Sequence, residues 1–378
     1  MFMKTIPIYL VFLLMGVADA IGPLSSQVEK NPLMAAWMPF FVFIAFALFS
    51  VPGGVLAVRI GKKKLLLLGL GLCAVATSVP CFMNPPFRML LASIFLLGVG
   101  TTFLQVAGNP IMRDVSAEGD YSRNLAMAQG IKGIGSTVSA FLVTAIASIA
   151  FFAAMGWRGA FPIFFTLMVL AFLSVAMLRV DEKKVDVPPS IGSSLALMGI
   201  PTFVLAVLGI FLYVGAEVCL ATYLKPALEA HGYEEKSAAF YGPSLFLGTL
   251  TIGRLVGGVL KVNPHTFLRI SALLGLIGLL MLLTGVSDLT IPAVVLAGLG
   301  CANIWPMLFS ITVEEKPERA SELSGLMCMA ISGGAIVPLL MGWLGGGGKA
   351  IAFIVPMVCF AYLMLLSLKK GKTAVSAQ

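Results

Sequence analysis

Charge is scarce in this chain. Its 378 residues hold 17 acidic and 25 basic side chains, 11% of the total, against 59% hydrophobic residues and a mean hydropathy of +1.01. So few polar groups cannot coat a water-soluble globule, and lipid becomes the solvent for most of the surface. Histidine is scarce as well: His231 and His265 are expected on opposite sides of the membrane. The six cysteines (Cys73, Cys81, Cys219, Cys301, Cys328 and Cys359) are scattered singly through apolar stretches. Neither a metal site nor a disulfide framework is indicated, and no cofactor is expected. Gly69-Leu70-Gly71 opens like a dinucleotide fingerprint, yet no alternation of strands and helices surrounds it. There is no nucleotide-binding domain and hence no sign of an ATP-driven pump. The +8 net charge is dispersed over short loops without aromatic interleaving, which argues against a nucleic-acid partner.

What the chain has instead is long apolar runs. A bilayer core about 30 Å thick needs about 20 apolar residues per helix, and helices satisfy their own backbone groups. Twelve spans are expected near 5–25, 35–60, 65–83, 87–112, 124–150, 157–179, 195–222, 236–260, 266–286, 289–312, 320–343 and 350–368. The small-x-small run Ala18-Asp19-Ala20 imitates a signal-peptidase site, but the apolar stretch continues through Ile21 to Leu24.

The second six spans echo the first six. Gly53-Gly54-Val55-Leu56 recurs as Gly257-Gly258-Val259-Leu260, an offset of 204 residues. Asp19 is answered by Glu217, an offset of 198, and Asn109-Pro110 by Asn303 with Pro306, an offset of 194. Three nearly equal offsets indicate a duplication: an all-α membrane protein of two pseudo-symmetric six-helix bundles. The expected division is 1–178, a polar cytoplasmic linker over 179–194 that includes Pro188-Pro189, and 195–378.

With both termini cytoplasmic, eighteen of the 25 basic residues fall on the inside face, among them Arg59, Lys62, Lys63, Lys64, Arg113, Arg254 and Arg319, and six outside. Lys132 lies within a span. This positive-inside bias sets the orientation in a cell (inner) membrane. The stretch from Lys225 to Lys236 is expected as a solvated external loop.

The informative residues are the polar ones that lipid rejects. A charge at the bilayer centre costs about 3 kcal/mol by insertion scales, so Asp19, Lys132 and Glu217 should face a cavity or one another. Asp19 and Glu217 are the candidate proton-coupling groups. Helical spacing collects neighbours: Thr101, Gln105 and Asn109 recur at i+4, and Gln129, Lys132 and Ser136 share a face. Tyr213 precedes Glu217 by one turn, and Asn303 and Trp305 flank Pro306. Amides, a phenol, an indole and carboxylates suit sugar hydroxyls and an apolar ring face. Each has a plainer alternative: buried amides serve as interhelical glue, Tyr213 and Trp305 as packing, and Lys132 as a counter-ion to Asp19.

These letters resemble the major facilitator superfamily, and within it the fucose/glucose/galactose proton symporters. Gly54-Val55-Leu56-Ala57-Val58-Arg59-Ile60-Gly61-Lys62-Lys63-Lys64 follows the superfamily's loop motif G-x-L-A-D-R-x-G-R-K-x, with Val58 where the aspartate usually stands. Leu104-Gln105-Val106-Ala107-Gly108-Asn109-Pro110 looks like the L-Q-V-A-A-N-P of the glucose/galactose branch, and Phe211-Leu212-Tyr213-Val214-Gly215-Ala216-Glu217-Val218 resembles its F-F-Y-V-G-A-E-V. Asn303-Ile304-Trp305-Pro306 and the run from Met329 to Leu340 resemble its tenth and eleventh spans. The resemblance implies proton-coupled uptake of a monosaccharide by alternating access, by a monomer. Asp19 would serve coupling, Gln105 and Gln129 the sugar, and Gly54, Arg59, Gly61, Lys62 and Lys63 the conformational loop. It implies a midplane cavity built from spans 1, 4, 5, 7, 10 and 11, the superfamily being the standard example of such parallel repeats. Two departures stand out: Lys132 replaces a usual asparagine, and the stretch from Arg123 to Gln129 is one residue longer. An anionic-sugar or organic-acid symporter using Lys132, and an exporter of small amphipathic compounds, remain as alternatives.

Overall fold

The computed structural model describes residues 2–146, 149, 152–178, 189–345 and 349–368. Among these residues the regular elements are all helices, and they form twelve spans. The first half comprises α1 (Phe2–Met15, continued by Gly16–Ala20 and Ile21–Val28), α2 (Pro32–Ile60), α3 (Lys62–Phe82), α4 (Phe87–Val115), α5 (Tyr121–Ala145) and α6 (Ala153–Ala160 with Phe161–Met177). The second comprises α7 (Pro201–Ala230), α8 (Glu235–Ala239, Phe240–Ser244 and Leu245–Val259), α9 (Pro264–Leu283), α10 (Ser287–Ala302 with Ile304–Glu314), α11 (Ala320–Met329, Ala330–Ser332 and Gly333–Trp343) and α12 (Ala350–Phe353 with Ile354–Ser367).

Among the described residues, nine helical runs are long and apolar enough to cross a membrane when taken singly. The three spans outside that set are α1, α5 and α8, and each carries an irregular or polar segment. The helix of α1 tightens into a 3-10 turn over Gly16–Ala20, around Asp19. Polar side chains, including Arg123, Gln129 and Lys132, interrupt the apolar sequence of α5. A π-helical turn over Phe240–Ser244 breaks α8, with Gly242 at φ −86°, ψ −106° and Pro243 beside it. Such interruptions in membrane helices persist where neighbouring helices re-satisfy the freed backbone groups.

Several expected boundaries shift. α7 begins at Pro201 and runs to Ala230, so Lys225 is helical and the loop expected outside shrinks to a few residues about Gly232. Lys225 is paired with Glu229 and Glu235 at 3.6 and 3.0 Å. The superfamily-like motif is hardly a loop: Gly54 and Arg59 are inside α2, Lys62 and Lys63 open α3, and Gly61 alone makes the turn at φ 96°. That left-handed conformation favours glycine over any residue with a Cβ. Most of the expected linker, with Arg179, Asp181, Lys183, Lys184 and Pro188, lies outside the described residues, as do Lys369, Lys370 and Lys372. Its described end is ordered: Ser190 and Ser193 exchange reciprocal 3.0 Å hydrogen bonds that cap the short helix Ile191–Leu195.

The two halves pack through α2 against α11 and α5 against α8. Small residues permit the approach. A Cβ on Gly54 would stand 2.7 Å from the carbonyl oxygen of Ser321, and one on Gly325 would stand 2.7 Å from that of Ser50. Contacts between Met127, Gly130 and Gly133 of α5 and Gly258, Leu255 and Thr251 of α8 match them. All lie toward the end where Arg59, Lys62 and Lys63 sit, here termed the basic end. There Arg113 of α4 also pairs with Glu314 of α10 across the halves at 2.5 Å.

Candidate substrate and coupling site

Asp19 and Lys132 come together. The 3-10 turn of α1 faces α5, where the Ser136 hydroxyl donates to Asp19 Oδ2 at 2.5 Å and Lys132 Nζ stands 3.7 Å from the same oxygen. The Asp19 side chain is 47% exposed and that of Lys132 19%. This is a partly open pair, unlike the fully desolvated carboxylate that a span-1 position suggests.

Glu217 is arranged differently, and its partner is one that sequence reasoning assigned elsewhere. Arg254, counted with the basic-face loops above, is buried in α8. Its Nη2 donates to Glu217 Oε2 at 3.1 Å and to the Tyr213 hydroxyl at 2.9 Å, while its Nε donates to the Ala302 carbonyl at 3.1 Å. Tyr213 in turn donates its hydroxyl proton to Glu217 Oε2. The triad ties α7, α8 and α10 together, so each half holds one intramembrane ion pair. Asp19 and Glu217 thus take separate cations, Lys132 and Arg254. The signal for Arg254 was available: it lies six positions before the end of the eighth apolar stretch, in the same half as an otherwise unmatched Glu217.

The amides line the meeting of the halves. On α4, Thr101 turns toward Cys73 of α3 at 3.9 Å, whereas Asn109 Nδ2 reaches Cys328 Sγ of α11 at 3.8 Å. Next to Gln105 in sequence, the Val106 carbonyl accepts a 2.8 Å bond from Ser324 of α11. Lys132 lies within electrostatic reach of the same Cys328. Asn303 is where α10 breaks, at φ −110°, ψ 4°. Its Nδ2 donates to the Gly253 carbonyl at 2.9 Å, fastening α10 to α8, and Pro306 falls in the first turn of Ile304–Glu314, where a missing N–H costs nothing. Trp305 packs beside Phe309 with ring centroids 5.6 Å apart.

Among the described residues, the buried side-chain atoms without a hydrogen-bond partner are Gln105 Oε1, Asn109 Oδ1, Gln129 Nε2, Asn303 Oδ1, Trp305 Nε1 and Ser50 Oγ. Five of the six belong to residues singled out from sequence; Ser50 had no such signal. An unpartnered buried polar atom carries a desolvation penalty of about 1–3 kcal/mol, and a hydroxylated ligand relieves it. The set mixes donors and acceptors, as an alcohol requires.

At the basic end the motif residues tie elements together. Lys62 pairs with Asp114 of α4 at 2.5 Å, Lys63 donates to the Ala176 carbonyl of α6 at 2.8 Å, and Arg59 to that of Pro189 at 3.4 Å. Asp114 thus supplies a carboxylate near the position where Val58 lacks one. Arg319 bonds Glu322 at 2.5 Å and the Ser193 carbonyl at 3.0 Å, and Ser194 donates to Glu322 at 2.8 Å, pinning the short helix to α11.

Residues 8–260 match the Major Facilitator Superfamily. The chain belongs to it. It is therefore a membrane transporter and not an enzyme. Within the superfamily it is 29% identical over 367 residues to the glucose/galactose transporter of Brucella abortus, covering 93% of this chain and 88% of that one. Its structure matches that of the Escherichia coli fucose:proton symporter FucP with a TM-score of 0.83 at 22% identity, over 96% of this chain and 97% of the other. A crystal structure of FucP in the outward conformation matches with a TM-score of 0.82 at 21% identity, over 97% and 98%. The superfamily's twelve-helix fold is thus the one found here, and the resemblance read in the span motifs holds across nearly the whole chain.

Proposed function

We propose that this protein takes up a monosaccharide, a hexose or hexose derivative, together with protons, by alternating access between its two halves. The observation that carries the reading is the set of buried, unpartnered polar atoms on Gln105, Asn109, Gln129 and Trp305, on the same helices α4, α5 and α10 that surround or carry the half-open Asp19–Lys132 pair. A hydroxylated ring supplies the missing partners, and Asp19 is accessible enough to exchange a proton. The name of the Brucella abortus relative and that of FucP point to the same substrate class and to proton coupling.

The basic end, with Lys62 and Lys63, faces the cytoplasm of the cell inner membrane by the positive-inside bias, which places both termini there. Closure of that end by Arg113–Glu314 and the α2–α11 contact then corresponds to a state awaiting substrate from outside. Gln105, Gln129 and Asn109 hold hydroxyls, Trp305 and Tyr213 add aromatic surface, and Asp19 carries the coupling proton. Glu217, held by Arg254, acts as the fixed charge of the second half. The protein works as a monomer of two bundles, divided near residues 179–194.

Proteoliposomes containing Asp19→Asn protein test the coupling. Exchange of sugar across a membrane without a gradient should continue, whereas accumulation driven by an inward proton gradient should stop. Undiminished accumulation removes Asp19 from the coupling step, and absence of any sugar exchange by the unaltered protein removes the substrate reading.

A further inference from the structure

We infer that Lys132 sets the substrate class: the sugar carried bears a carboxylate, as a uronic or aldonic acid does, and Asp19 occupies Lys132 until it takes the coupling proton. The inference rests on the sugar-transport reading above and narrows it.

The pair is poorly matched as a structural ion pair. Lys132 Nζ lies 3.7 Å from Asp19 Oδ2, beyond hydrogen-bond reach, and that oxygen already accepts the Ser136 proton at 2.5 Å. An ammonium has three N–H donors, and none of the three finds an acceptor among the described residues. A lysine serving only to neutralise Asp19 would close that gap, since charge-assisted N–H···O contacts settle at about 2.7–2.9 Å.

The surroundings offer Lys132 no other anion. Of the elements packed on α5, α1 presents Asp19, and on α4 Asp114 is taken by Lys62 at the basic end; Cys328 of α11 offers only a thiol. On α8, Arg254 turns away to Tyr213, Glu217 and Ala302; on α10, Glu314 is taken by Arg113 at the basic end. One turn before Lys132, Gln129 Nε2 is a second buried donor without an acceptor, and Trp305 Nε1 a third on α10. An ammonium, a neutral N–H donor one turn away on the same helix and another on α10, which packs against α5, match a carboxylate on a polyhydroxylated chain.

Charge bookkeeping gives the order of events. With Asp19 ionised, the pair is neutral and no anion is drawn in. A proton from outside binds an Asp19 carboxylate oxygen and leaves Lys132 as an uncompensated cation in low dielectric. The substrate carboxylate then restores neutrality, and proton and anion cross together with no net charge moved. A neutral sugar would leave the protonated state one positive charge in excess, which low dielectric opposes.

Purified protein in proteoliposomes decides it, with D-glucuronate, D-galacturonate and D-gluconate set against D-glucose and D-galactose in counterflow under an inward proton gradient. The acids should be preferred by about tenfold or more in half-saturation, the factor that about 1.4 kcal/mol of differential binding gives. Lys132→Asn should erase that preference, and Lys132→Arg should keep it. Uptake of the acid monoanions should move no net charge. Exchange of the neutral hexoses with no competition from the acids overturns the carboxylate assignment and leaves sugar transport standing. An acid preference unchanged in Lys132→Asn overturns it as well. Exchange of neither class by protein that still unfolds cooperatively overturns both.

Discussion

Replacing Arg254 by Met should be the most damaging single change in the second half. The guanidinium makes three hydrogen bonds, to Glu217, Tyr213 and the Ala302 carbonyl, and its side chain is 9% exposed against 23% for that of Glu217. Methionine fills similar volume but leaves the Glu217 carboxylate with only the Tyr213 hydroxyl. Breaking a buried pair from one side costs about 3–5 kcal/mol. Partial exposure of Glu217 places this case near the lower bound, at about 3 kcal/mol, a large share of typical folding stability. Adding Glu217→Gln removes the stranded charge, so the double variant should regain about 2 kcal/mol relative to the sum of the singles. Reversible denaturation of purified protein in mixed micelles measures all three. If the single losses simply add, the two residues do not act as a unit and the triad has been misread.

Propping the halves apart should expose the seam. Gly54→Leu drives a side chain into the Ser321 carbonyl, so Cys328, buried in the closed form, should react faster with a membrane-permeant maleimide in a background lacking the other cysteines. Unchanged labelling would count against closure at α2–α11. Glu314→Gln, by contrast, breaks a pair whose side chains are 29% and 49% exposed, and should change stability by less than about 1 kcal/mol. Thermal unfolding checks that ceiling. Gly257→Ala should destabilise by about 1–3 kcal/mol, because its Cβ meets the Asn303 amide that fastens α10 to α8. A neutral effect in the same denaturation assay would show that the Asn303 bridge yields freely.

The fold was legible because its governing variable, apolar run length, is written directly in the sequence; the echo of Gly53-Gly54 in Gly257-Gly258 and of Asp19 in Glu217 disclosed the duplication. Asp19, Lys132 and Ser136 were legible for the same reason, as costly groups at helical spacing. Arg254 was misassigned because it stands near a span end, where a basic residue ordinarily marks a loop, and only the crossing of α7, α8 and α10 carries it to Glu217. Ser50 was invisible since a serine in an apolar helix usually bonds its own backbone. The compact turn at Gly61 and the extension of α7 past Lys225 depend on φ and on neighbouring ion pairs, which composition does not encode.

The low hydropathy of α5 reaches beyond the mature molecule, into how it is made. A segment carrying Arg123, Gln129 and Lys132 partitions weakly from the translocon when it emerges alone, with about 2.5–3.5 kcal/mol opposing a lysine at mid-depth. Among its packing neighbours, α1 and α4 are already synthesised, while α8 follows roughly a hundred residues later. Biogenesis of the first half therefore waits on the second, and the nascent chain must shelter α5 until Leu255 and Gly258 arrive to cover it.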